Sequence, residues 1–150
     1  MGLINKLISF FENKNNECPN VIKEFLNDIV AKNNQIDAIF LLDFNHSILC
    51  KSTAKNAEIE QQLHSGIKTI TSSPTILQEL HNMVSNFGKI AERGELEHGI
   101  IQFSDGILIL YFLDNAEQSA TVGFISANPE GIGRLLKYCK NKIDEISQHV

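Results

Sequence analysis

The chain has no apolar run long enough to cross a membrane: its longest, Ile107 to Leu113, holds seven residues, where a helical span takes about 20. It has no basic excess either. Against 18 Asp and Glu stand 13 Lys and Arg, the formal net charge is −5, and the lysines are scattered. Nucleic-acid binding requires a basic stripe that displaces counterions from phosphates, so that class is disfavoured. Cys18, Cys50 and Cys139 are odd in number, far apart and never arranged as C-x-x-C. This indicates neither a disulfide framework nor a zinc site, and fits a reducing cytoplasmic compartment. The N-terminus shows no basic region ahead of a signal-peptide core, and Lys6 stands where a myristoylation signal has Ser or Thr.

Catalytic patterns are missing as well. The five histidines, His46, His64, His81, His98 and His149, never form H-x-x-x-H, so no metal ligand set is read. There is no G-x-S-x-G elbow, and Cys50 has no assignable His and Asn partners; it reads as a small buried apolar residue. Gly131 to Arg134, "GIGR", opens a helix but falls short of G-x-G-x-x-G or a Walker loop, so close helix packing is the better reading. Glu58, Glu60, Asp43 and Asp105 fall in turns or on solvated faces. No catalytic residue, metal ligand or cofactor site follows, and the chain does not read as an enzyme.

What is present is periodicity. Leu3, Ile4, Leu7, Ile8, Phe10 and Phe11 share one side of a short helix, followed by the polar run "NKNNECPN". Residues 1–19 thus form an amphipathic helix and linker, and 20–150 a single compact domain. Lys6 is the only basic residue before Lys14, so anionic lipid gains little from this helix, and a partner or the domain itself suits it better. The domain starts with a helix over about Val21 to Lys32, then a hairpin in "DAIFLLDFNHSILCK" that turns through Asp43 to His46. Ile59, Leu63, Ile67 and Ile70 share a narrow helical face. Ser73-Pro74 starts a long middle helix that Gly94 ends.

Asp105-Gly106 predicts a second hairpin with a type I′ turn, whose positive φ angles suit paired strands. The unbroken apolar run after it predicts a strand covered on both faces. Ser119 to Ser126 gives a fifth strand, and Asn128-Pro129 caps a final helix. The apolar residues of that helix fill only roughly 100°, whereas Ile76, Leu77, Leu80, Met83, Val84, Phe87, Ile90 and Ala91 of the middle helix fill roughly 160°. The wider arc implies a second surface to cover, or burial under residues 56–71. His81 falls on the polar side of this helix, where it is a surface or partly buried histidine or belongs to a partner-binding surface.

The element order helix, strand, strand, helix, strand, strand, strand, helix, with "DAIFLLDFNHSILCKST", "ERGELEHGIIQFSDGILILYFL" and "FISANPEGIGRLLKYC" at its junctions, resembles the Roadblock family. That family includes dynein light chains, scaffold subunits that hold Rag-type GTPases, and bacterial polarity regulators of the MglB type. The resemblance implies an α/β (α+β) fold of the Roadblock/profilin-like kind: a five-stranded antiparallel sheet, the middle helix on one face, the first and last domain helices on the other. Leu96 to Ser104 would be an edge strand, unguarded by proline or lysine, that in the family pairs with its copy. The expected homodimer interface is Met83, Val84, Phe87, Ile90, Ala91, Ile100, Ile101 and Phe103. The implied function is a non-enzymatic homodimeric adaptor that binds a Ras-like small GTPase and tunes its nucleotide cycle. The alternative is a small-ligand sensory or binding module of profilin-like fold. Arg93 and Arg134 are the only arginines, and neither is identified as an arginine finger.

Overall fold

The computed structural model describes residues 18, 20–42, 48–53, 57–72, 74–114, 119–127 and 131–149. The N-terminal helix expected over residues 1–12, the turn at Asp43 to His46 and the Asn128-Pro129 cap lie outside them. Helix α1 (Asn20–Lys32) leads into β1 (Ala38–Leu42) and β2 (Ile48–Thr53). Then come α2 (Ala57–Thr71), α3 (Pro74–Ile90), β3 (His98–Phe103), β4 (Gly106–Asp114), β5 (Ser119–Ser126) and α4 (Ile132–His149). One antiparallel sheet runs in the order β2-β1-β5-β4-β3. Its edges are therefore β2 and β3.

Strand alternation divides the core in two. Ile39, Leu41, Ile107, Ile109, Tyr111, Val122 and Phe124 point to one side, where α1 adds Ile22, Leu26 and Ile29, and α4 adds Leu135, Cys139 and Ile143. Phe40, Leu42, Leu108 and Leu110 point to the other, joined by Ile67 of α2. Every residue from Ile107 to Tyr111 is buried, which explains the unbroken apolar run: neither face of β4 meets water. The Tyr111 hydroxyl donates to the Leu136 carbonyl across 3.0 Å and ties α4 to the sheet. Burial pushes the pKa of that hydroxyl up to about 12, so it stays a donor.

Three local expectations need correction. The β3–β4 hairpin forms, but Phe103 pairs with Gly106, so the loop is Ser104–Asp105. Glu92 is the only non-glycine described residue with positive φ, and Gly106 is not among the positive-φ glycines, so the turn is not type I′. Gly106 serves packing instead, since a Cβ there would stand 2.5 Å from the Ser126 carbonyl oxygen. The middle helix ends at Ile90, short of Arg93. Arg93 N–H donates to the Gly88 carbonyl and Glu92 N–H to that of Lys89, with Glu92 at φ 55°. This is a Schellman cap with glutamate in the left-handed position that glycine usually fills.

The third correction concerns cysteine. Cys18 and Cys50 form a disulfide that closes a sequence separation of 32 residues and joins the chain ahead of α1 to β2. Cys50 is buried as expected, but it is bonded. No C-x-x-C spacing announces a bond that tertiary packing creates. Cys139 is a buried thiol whose pKa burial pushes up to about 12, which makes it a poor competitor in exchange. Loop-closure entropy puts such a cross-link at about 3–4 kcal/mol. Urea unfolding of Cys50→Ser is expected to show a loss of about that size. Equal stability of the wild type with and without a thiol reductant would show that the bond does not form in solution.

Candidate functional site

Helix α3 lies on the α2 side of the sheet, where the His81 ring stacks on Phe112 with centroids 4.7 Å apart. The residues that face the sheet are unexpected. His81, Ser85 and Gly88, spaced as one helical stripe, are half-buried, and none of the α3 side chains whose exposure is described is buried. The half-buried His81 ring is therefore turned toward the sheet. Gly88 lies against the turn that follows α3, where a Cβ would meet the Gly94 carbonyl oxygen at 2.9 Å.

The apolar stripe points the other way. Leu80, Met83, Val84, Phe87 and Ile90 are all exposed, with Met83 at 69%, Phe87 at 71% and Ile90 at 84%. From Leu80 to Ile90 the wide arc thus marks a bare surface, and burial of these five beneath α2 is ruled out. Exposed β3 adjoins it. Ile101 and Phe103 pair with Leu108 and Gly106, which places them on the α3 side, and both are exposed. Ile100 pairs with Ile109 and points to the α1/α4 side. Of the eight residues expected at the interface, Met83, Val84, Phe87, Ile90, Ile101 and Phe103 share one side. Ile100 lies on the opposite face of the same edge, and Ala91 is half-buried in the turn after α3. Leu80, outside that set, is exposed on the same helical stripe.

The backbone of β3 is open in a definite register. Phe112 N–H donates to the Glu97 carbonyl at 3.1 Å, so in the continuing ladder Gly99, Ile101 and Phe103 hold the hydrogen-bonded positions toward β4. His98, Ile100 and Gln102 then direct N–H and C=O away from the sheet. Among the described residues no group of His, Cys, Asp and Glu is placed to hold a metal ion, and no helix is long and apolar enough to cross a membrane.

Solved structures of the same topology exist. The chain is similar to MglB of Myxococcus xanthus, with a TM-score of 0.60, 14% identity and 86% of each chain covered. It is similar also to an MglB in a tetrameric arrangement, with a TM-score of 0.58, 12% identity, and 87% of each chain covered. A Roadblock/LC7 domain from Streptomyces avermitilis aligns with a TM-score of 0.57 and 7% identity over 83% of this chain and 92% of that one. The chain has the Roadblock/LC7 fold. No protein-family model and no curated protein matches its sequence. At such low identity the Roadblock likeness rests on topology and packing, and the bare α3 stripe and open β3 edge are features of this chain's own residues.

The register makes a specific test. Proline at position 100 removes an N–H that already points off the sheet, so it breaks no β3–β4 bond, while it blocks strand addition at the edge. Ile100→Pro is expected to keep near-native circular dichroism and to abolish any self-association measured by light scattering. Unchanged association would place the contact elsewhere.

Proposed function

We propose that the protein is a non-enzymatic homodimeric adaptor that binds a Ras-like small GTPase and biases its nucleotide cycle. The observation that carries the dimer is the exposed apolar stripe of α3 beside the open edge of β3. Burying a side chain the size of Leu, Met or Phe is worth about 1.5–3 kcal/mol, enough for a few of them to drive association. An antiparallel pairing of β3 with its copy, centred on Ile100, would use the outward groups of His98, Ile100 and Gln102 together. It would also bring the two α3 stripes to the same side of a continuous sheet. A neighbour of the same fold, the tetrameric MglB, is itself an assembly.

The GTPase partner comes from the Roadblock likeness, which is analogy at the level of fold. The cytoplasm is the compartment this reading requires. There, reducing systems act against the Cys18–Cys50 bond, and burial of Cys50 shields one of its sulfurs from exchange.

Light scattering at micromolar concentration is expected to give twice the chain mass, and a clean monomer there sinks the dimer. Phe87→Glu should weaken assembly and leave circular dichroism near native. Leu135→Glu, at a fully buried position of α4, should unfold the chain, because an unpaired buried carboxylate costs several kcal/mol. For the partner, a Ras-like GTPase is titrated in its GDP form and in a non-hydrolysable GTP form. A regulator shifts an equilibrium only through unequal affinity for the two states, so one form should bind more tightly. Equal affinity with unchanged turnover would reduce the protein to a tether, and saturable GTP binding by the isolated chain would overturn the adaptor.

A further inference from the structure

Over residues 78–90, helix α3 turns its less apolar side inward. On its inner stripe it offers an imidazole, a hydroxyl and a glycine, at His81, Ser85 and Gly88, all only half-buried, with the His81 ring stacked on Phe112 of the sheet. Toward solvent it offers Leu80, Met83, Val84, Phe87 and Ile90. Its C-terminal cap holds a glutamate at φ 55°, a conformation that disfavours side chains with a Cβ. The sheet beneath does not share this weakness, since Leu108 and Leu110 of β4 are buried and β4 is paired on both sides.

We propose that α3 keeps its helix but docks only loosely on the sheet of a single chain and is held firmly in the dimer, so that self-association and the protection of α3 are coupled. This rests on the dimer reading above and adds a regulation to it. In a single chain, the large apolar side chains of α3 that are described, from Leu80 to Ile90, lie on the face that nothing covers, and segments with few buried apolar contacts open at low cost. A second copy supplies the missing cover. By linkage, whatever grips or releases α3 shifts the monomer–dimer equilibrium by the same factor that dimerisation shifts the docking of α3. A partner that touches α3 would thereby control assembly without touching the β3 edge.

Hydrogen exchange of the full chain, read by mass spectrometry, tests this. In the wild-type dimer the amides of residues 78–90 should be protected. In the Ile100→Pro monomer, whose α3 sequence is untouched, they should exchange at least 100-fold faster, while those of β4, β5 and α4 keep their rates. Phe87→Glu supplies the monomer by a second route, in case proline disturbs the strand, and should give the same result. Adding His81→Leu to Ile100→Pro gives α3 an apolar hold on Phe112 and should slow its exchange at least 10-fold. If α3 in either monomer stays as protected as β4 while the wild type dimerises, the coupling is wrong and the dimer stands. A wild type that is monomeric at every concentration removes the dimer and the coupling together.

Discussion

From Ile107 to Tyr111 strand β4 has no face open to water, and the arrangement of the molecule follows from covering it. Its residues alternate Ile107, Ile109, Tyr111 to one side and Leu108, Leu110 to the other, all buried. A strand of this kind needs a helix layer above and below. On one side α1 and α4 supply it with ordinary amphipathic stripes, fixed by the Tyr111–Leu136 hydrogen bond. On the other, Ile67 of α2 packs against Phe40, Leu42, Leu108 and Leu110. With α2 sharing that task, α3 is free to turn its apolar stripe outward. The candidate surface is a consequence of how the core is closed.

This division also explains what the sequence disclosed. Element order and the covering of β4 on both faces were legible from hydrophobic periodicity and strand pattern, which are local signals, whereas the edge position of β3 followed from the Roadblock resemblance. The width of the α3 arc was legible as a problem but not as an answer, since a helical wheel cannot say which half of a wide stripe meets the sheet. His81 was left open for this reason, as a surface, partly buried or partner-binding histidine, and the structure shows it half-buried with its ring stacked on Phe112. The Asp105-Gly106 turn failed differently. A strong local preference for positive φ yielded to a tertiary demand, the close approach of the Ser126 carbonyl to Gly106. The Cys18–Cys50 bond had no local signal, because it joins segments that only the folded sheet brings together.

The two edges of the sheet differ in a way that bears on assembly. At β2, Lys51 contacts His64 of α2, Cys50 is bonded to Cys18, and the Ser52 hydroxyl donates to the Asn27 side-chain oxygen of α1 across 2.5 Å. Burial and the charge of Lys68 lower the pKa of Lys51, which marks this edge as crowded by its own helices and guarded by lysine. At β3 no proline or lysine stands on the strand, and its outward residues are exposed. A sheet with two open edges can add copies without limit, as fibres do, whereas one open edge paired about a two-fold axis consumes itself. Association through β3 would therefore close at two chains, and the crowded β2 edge is what would stop it there.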